Sequence, residues 1–351
     1  MKRSWMNWAA LVAMALMLFA FGGCSDDDDG GTGNGNDPLD SVVLTTAGDA
    51  YFSTYKIDVD GDGTRETGVN TVPANIVANL DDYYIIDYRS STDYDWAHIP
   101  GANNLALSAL VDEIDNLPTD RVILNVCYTG QTASFATSII NILGTQTGHK
   151  AINLKFGMSY YAPLNLVKAD GTFNYVTSDD YDALMTADVT PKAAAGDLPV
   201  VDTGESTDLD ILKARAREAT ARWSSSHQYS VFASAADVVP LDTNNWYLIN
   251  YFSDAAYANG HLPGAIQYNT SPSEFVSTAA LNTLPTDKSI AIYCYTGQTS
   301  AQVVAYLAML GYDAKTITYG VQKMCYNNAT INTVQWHATT DMNPLVGDYT
   351  K

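Results

Sequence analysis

The chain has 351 residues, 46% hydrophobic and 11% aromatic, enough to bury about two cores of ordinary domain size and too ordered in composition for a disordered chain. Its 18 Lys and Arg against 39 Asp and Glu leave a formal net charge of -21, and so acidic a surface repels polyanions, which excludes nucleic-acid binding as a default. Four cysteines are too few for a disulfide-stapled scaffold, so cysteine has a chemical or post-translational part here.

Residues 1–24 combine basic Lys2 and Arg3, an apolar run from Trp8 to Phe21, and Gly22-Gly23-Cys24, the pattern of a signal peptide and not of a spanning helix. The small residues before Cys24 resemble a bacterial lipoprotein signal. That resemblance implies cleavage before Cys24, acylation of its sulfur, and an exported protein held to the bacterial cell envelope through the lipid alone. An ordinary cleaved signal with Cys24 left free is the other reading. Loss of Lys2 and Arg3 takes the formal charge from -21 to -23. In a Gram-negative host the same resemblance implies, from Ser25 with no aspartate at that place, sorting to the outer membrane, facing the periplasm or outward. Residues 25–40, with Asp26 to Asp29 and a Gly/Asn-rich stretch, read as a flexible acidic tether.

A first domain is expected over 41–175. Near its start, Asp58, Asp60 and Asp62 alternate before Gly63, followed by Thr64 and Glu66, which resembles the opening of an EF-hand-type calcium loop over 58–69. The carboxylates, the Thr64 carbonyl and Glu66 would be the ligands. Val69 stands where a bidentate Glu belongs, and an acidic turn of Asx type is the alternative. Calcium held here would be structural.

The rest of the chain repeats itself. Ala97-His-Ile-Pro-Gly-Ala102 returns as Gly260-His-Leu-Pro-Gly-Ala265, and Cys127-Tyr-Thr-Gly-Gln-Thr132 returns as Cys294-Tyr-Thr-Gly-Gln-Thr299. Apolar runs without alternation, at 83–87 and 121–126 and again at 246–250 and 289–293, predict strands covered on both faces of a parallel sheet. After each cysteine loop the period turns helical, through Phe135, Ile139, Ile142 and Leu143 and through Val303, Val304, Leu307 and Leu310. Between the copies, 176–225 reads as a linker followed by a helix that opens at Thr207-Asp-Leu-Asp210, a capping box, and runs to about Trp223. Its Lys213, Arg215, Arg217 and Arg222 either dock on acidic surface of the same chain or remain solvated. The second domain takes 226–351.

A loop between a buried strand and a helix lets backbone N–H groups converge, with the helix N-terminus adding about half a positive charge. A cysteine opening such a loop is favoured as thiolate, with a pKa below the free value of about 8.5. Gly130 and Gly297 supply the required dihedrals, and the Thr129, Thr132, Thr296 and Thr299 hydroxyls can donate to a bound sulfur or oxyanion.

A His-Ile-Pro-Gly-Ala turn about thirty residues before a strand-ending cysteine loop resembles the rhodanese (sulfurtransferase) family, over about 71–165 and 235–328. Asp87-Tyr-Arg89 matches the family's Asp-x-Arg, Gly144 and Gly311 its helix-closing glycine, and Phe156-Gly157 and Tyr319-Gly320 its later aromatic or glycine pair. The resemblance implies an α/β fold, two rhodanese-like domains each with a central parallel sheet flanked by helices. It also implies cysteine persulfide chemistry that needs no cofactor. Cys127 and Cys294 become the nucleophiles, cradled by the amides of Tyr128, Thr129, Gly130, Gln131 and Thr132 and of Tyr295, Thr296, Gly297, Gln298 and Thr299. The partners implied are a small sulfur donor (persulfide, polysulfide or thiosulfate) and a thiol acceptor.

Departures weigh on this. Tyr128 and Tyr295 stand where members acting on thiosulfate carry a cation, which turns the expectation toward a persulfide or polysulfide donor. Ala133 and Ser300 replace the oxyanion-clamping arginine of related phosphatases. Asn250 and Phe252 replace the Asp-x-Arg of the second copy. His98 and His261 read as turn residues and not as bases. Cys325, without a partner in the repeat, either packs or pairs with Cys294. The alternative to an enzyme is a non-catalytic envelope lipoprotein that uses the fold as a scaffold beside redox partners.

Overall fold

A computed structural model describes residues 38–54, 56–57, 66–67, 70–71, 76–173, 175–223, 231–270, 273–334 and 349–350. Helix α1 (Pro38–Thr54) leads into a short antiparallel hairpin, β1 (Lys56–Ile57) with β2 (Glu66–Thr67). The first sheet follows, from β3 (Asn70–Thr71), β4 (Tyr83–Asp87), β5 (Asn103–Asn104), β6 (Val122–Val126) and β7 (Ala151–Leu154), with α2 (Gln131–Thr147) between β6 and β7. Helix α3 (Asp208–Trp223) precedes the second sheet, from β8 (Phe232–Ala233), β9 (Trp246–Asn250), β10 (Ile266–Gln267), β11 (Ser289–Tyr293) and β12 (Ala314–Ile317), with α4 (Gln298–Met309) after β11. Each sheet is five-stranded among the described residues, and the orders β5-β4-β6-β7-β3 and β10-β9-β11-β12-β8 correspond strand for strand. Every pairing within them is parallel.

The unalternating apolar runs are explained by what covers them. Along β11, Ile290 and Ile292 enter one core while Ala291 and Tyr293 enter another; in the first sheet Ile86 and Ile123 face one way and Ile85, Leu124 and Val126 the other. The shared core lies between the two sheets and holds α1, α2, α3 and α4 together, so both domains bury their cysteine-loop helices against each other. Burial of each large side chain there contributes about 1.5–3 kcal/mol.

Some boundaries differ from the sequence reading. Residues 38–40, expected in the tether, form the first turn of α1, because buried Asp40 accepts from the Thr203 N–H at 2.6 Å and its hydroxyl at 2.7 Å. Gly144 does not close α2: the helix runs on to Thr147 and ends at left-handed Gly148, whose N–H donates to the Gly144 carbonyl at 2.8 Å. Glycine is needed at 144 because the His149 carbonyl lies 2.2 Å from where a Cβ would stand. The basic helix docks within the chain. Lys213 pairs with Asp115 at 2.7 Å and Arg217 with Asp112 at 2.9 Å in the first domain, while Arg215 donates to the Met309 carbonyl at the end of α4 at 2.7 Å. At its start the Thr207 hydroxyl accepts from the Asp210 N–H at 3.2 Å.

Candidate functional site

Cys127 and Cys294 follow the central strands β6 and β11 and open the turns into α2 and α4. The residue before each helix is a glycine in the left-handed region, Gly130 at φ +86° and Gly297 at φ +77°. Such a turn brings the first free amides of the helix back toward the strand end.

Those amides reach the sulfur. Gly130 N–H donates to Cys127 Sγ at 3.1 Å and Ala133 N–H at 3.4 Å. In the second domain Ser300 N–H donates to Cys294 Sγ at 3.4 Å, and Ser300 Oγ lies 3.4 Å from the same sulfur. In the first domain the cradle keeps Gly130 from the expected amides and extends one residue past them to Ala133, while in the second the donor to the sulfur is Ser300, one residue past the expected five. Ala133 and Ser300, singled out in the sequence only for lacking a guanidinium, both contribute. Ser300 Oγ is itself 2.7 Å from Thr316 Oγ1.

Neither cysteine is exposed, and Cys127 is not the acid-shifted thiolate expected from the loop. Cys127 and Cys294 are 2% and 3% exposed. Burial pushes the Cys127 thiol up from its ordinary value of 9.0, against the opposing pull of the Ala133, Thr129 and Gly130 amides and the Thr132 side chain. Desolvation of the charged form outweighs the hydrogen bonds that favour it.

Around Cys127 the second copy's losses become legible. Asp87 and Arg89 form a fully buried ion pair at 2.7 Å, and the guanidinium also donates to the carbonyls of Ala97 at 2.6 Å and Val167 at 3.0 Å. It thereby ties the Pro-Gly turn and the 164–167 segment to the strand end. In the second domain Phe252 instead stacks on Tyr295, with centroids 4.3 Å apart. Tyr128 has no such stack on residue 89; its hydroxyl donates to Asp93 and accepts from Ser90 N–H at 3.2 Å. His98 and His261 stack on Tyr94 and Tyr257, and each directs Nδ1 to that tyrosine's carbonyl. Each also ties its turn to a distant segment: the His98 backbone bridges to Thr350, and His261 bridges to Thr186 and directs Nε2 to the Asp188 carbonyl at 3.0 Å.

Gln131 and Gln298, expected beside the sulfur, point their side chains into the opposite domain. Gln131 Oε1 accepts from Tyr319 N–H at 2.9 Å and Gln298 Oε1 from Phe156 N–H at 3.1 Å. Phe156 at φ +59° and Tyr319 at φ +63° are non-glycine residues in the left-handed region, a conformation that costs about 1–3 kcal/mol and persists where the surroundings hold it. Between their rings stands Tyr175, edge-on to both at 5.9 and 5.3 Å. Burial pushes its phenol well up, with Tyr319, Cys294 and Cys127 all near enough to add to the effect. No local sequence signal marks Tyr175, which lies outside both repeats.

Cys325 is a free thiol packed with Val321, Met324 and Tyr293, which is the packing alternative. Burial raises it to about 12. Cys24, Asp58, Asp60, Asp62 and Thr64 lie outside the described residues, while the Glu66 backbone pairs in β2 at the foot of that loop. Among the described residues no cluster of His, Cys, Asp and Glu could hold a metal, and no helix is long and apolar enough to cross a membrane.

Comparison with solved structures finds similarity to a protein of Staphylococcus saprophyticus (18% identity, 26% of this chain and 92% of that one, TM-score 0.24). It also finds a rhodanese-related protein of Thermoplasma volcanium (19%, 25% and 85%, 0.23) and a rhodanese-like domain protein of Staphylococcus aureus (17%, 25% and 86%, 0.23). No curated protein matches the chain. The family model for the Rhodanese-like domain matches twice, at residues 73–162 and 238–326, each match enclosing one central strand, its cysteine loop and its helix. With half of its length so matched and two corresponding parallel sheets, the chain belongs to the rhodanese-like family, as a tandem of two such domains.

Proposed function

We propose that this protein is a lipid-tethered envelope sulfurtransferase that carries sulfane sulfur as a persulfide on Cys127 and Cys294. The observation that carries the reading is the convergence of the Gly130 and Ala133 amides on the Cys127 sulfur. In the transfer, the cysteine thiolate attacks the outer sulfur of a donor persulfide, the donor's S–S bond breaks, and the donor leaves as a thiolate. An acceptor thiolate then attacks the outer sulfur of the cysteine persulfide and releases the cysteine. The cycle is redox-neutral, and the amide donors stabilise the negative charge on the cysteine sulfur before its attack and after its release. Neither loop carries a cation, and the chain is strongly acidic, so a persulfide or polysulfide suits the site better than the thiosulfate dianion. The leader ending at Cys24 supports the tether, and the Asp58–Glu66 loop supports structural calcium; neither takes part in the transfer.

The near-complete burial of both sulfurs favours a second reading, a scaffold that keeps its cysteines without turnover. Sulfur transfer from polysulfide and from thiosulfate to cyanide or a thiol separates the two. Turnover that vanishes in the Cys127→Ser, Cys294→Ser double variant, with polysulfide the better donor, is the expected result. Equal rates in parent and double variant leave the scaffold.

A further inference from the structure

The two cysteine loops meet, and they meet through the glutamine four residues after each cysteine. A backbone N–H can only donate, so the atom facing Phe156 N–H must be the amide oxygen of Gln298, and the atom facing Tyr319 N–H that of Gln131. Both side chains are buried, and Gln298 is further fixed by Nε2 donating to Thr296 Oγ1 at 3.1 Å. Each oxygen also lies over the opposite loop's glycine: a Cβ on Gly130 would stand 2.4 Å from Gln298 Oε1, and one on Gly297 would stand 2.4 Å from Gln131 Oε1. Gly130 is the residue whose N–H contacts the Cys127 sulfur.

The aromatic residues that receive these oxygens lead directly to the cysteines. Phe156 precedes Gly157, where a Cβ would fall 2.2 Å from the Cys127 carbonyl oxygen, and Met158 N–H donates to that oxygen at 2.8 Å. Tyr319 precedes Gly320, with the matching approach to the Cys294 carbonyl, and Val321 N–H donates there at 3.1 Å. The left-handed corner that supports each cysteine is therefore held by a side chain of the other domain.

We propose that each glutamine is a positioning residue for the cysteine of the opposite domain, Gln298 for Cys127 and Gln131 for Cys294, so that neither sulfur site is complete within its own domain. The inference deepens the sulfur-transfer reading and rests on it for its consequence in turnover, while its test reads the thiols directly.

The test uses the full chain with Gln298→Met and Gln131→Met, which keep length and lose the acceptor, and with Gln298→Glu and Gln131→Glu, which keep an acceptor. Asn replaces Met where the Met variant fails to fold. Alkylation by iodoacetamide is followed against pH at each cysteine by peptide mass spectrometry. Leaving one buried N–H without its acceptor should change the Cys127 rate in Gln298→Met by about tenfold and move its pH profile, with Cys294 changed by less than about twofold. Gln131→Met gives the mirror result, and the Glu variants return toward the parent. A greater effect on the cysteine of the same loop than on the opposite one, equal effects at both, or none at either would overturn the proposal. A crossed pattern in a protein without sulfurtransfer defeats the transfer reading alone; an uncrossed pattern with turnover that depends on the cysteines defeats this inference alone.

Discussion

At the Cys127 sulfur, two effects of opposite sign act on one atom. Amides favour the thiolate, burial disfavours it, and burial prevails. The folded protein therefore holds this proton more tightly than the unfolded chain does. That contribution to stability is fully present below the unfolded pKa and is lost as pH rises toward the raised folded value. Iodoacetamide modification of Cys127 should still be accelerating as pH passes 9; a rate that levels off below 8.5 contradicts the assignment. The cysteines and their glycines were legible in the sequence because they act within a few residues of one another, and the Asp87-Arg89 pair through the family resemblance, while the reach of Arg89 to Val167 was not. The glutamines were legible only as loop members. Their partners stand 142 and 188 residues away, and nothing local to Gln298 or Gln131 encodes Phe156 or Tyr319.

Helices α2 and α4 were legible from their apolar period but begin four or more residues before it, at Gln131 and Gln298. Their first turns are polar because they face the sulfur and the opposite loop, so periodicity has nothing to register there. Helix α3 shows the converse. Its cap was readable at Thr207, yet whether its basic face docks depended on Asp112, Asp115 and the Met309 carbonyl, all distant in sequence. The segment that carries Tyr175 into the seam is tied to the second domain, where Ser178 N–H donates to the Gln322 carbonyl at 3.1 Å and Tyr181 N–H to the Met324 carbonyl at 2.9 Å. Tyr175→Ala removes a ring lodged between Phe156 and Tyr319, the residues preceding the glycines packed on the two cysteine carbonyls, and so loosens the cover of both sites. Alkylation of Cys127 and Cys294 should each accelerate by about tenfold or more, as expected for relief of burial; unchanged rates would show that Tyr175 does not restrict access.

Across the whole molecule the repeat predicted two like domains, and the two corresponding sheets bear out that architecture. How the copies face each other is not written in either one. The facing arises because α2 and α4 each present an apolar side that its own sheet leaves uncovered, and the shared core formed between them brings both cysteine loops to one seam. The same burial covers both sulfurs, so the resting protein should react slowly with bulky reagents.

The most direct measurement is the mass of the loop peptides after the protein is treated with polysulfide. Persulfide transfer at both loops requires a gain of one sulfur atom on the peptides holding Cys127 and Cys294, discharged by cyanide. An unchanged mass on both peptides, or a gain confined to Cys325, would contradict it.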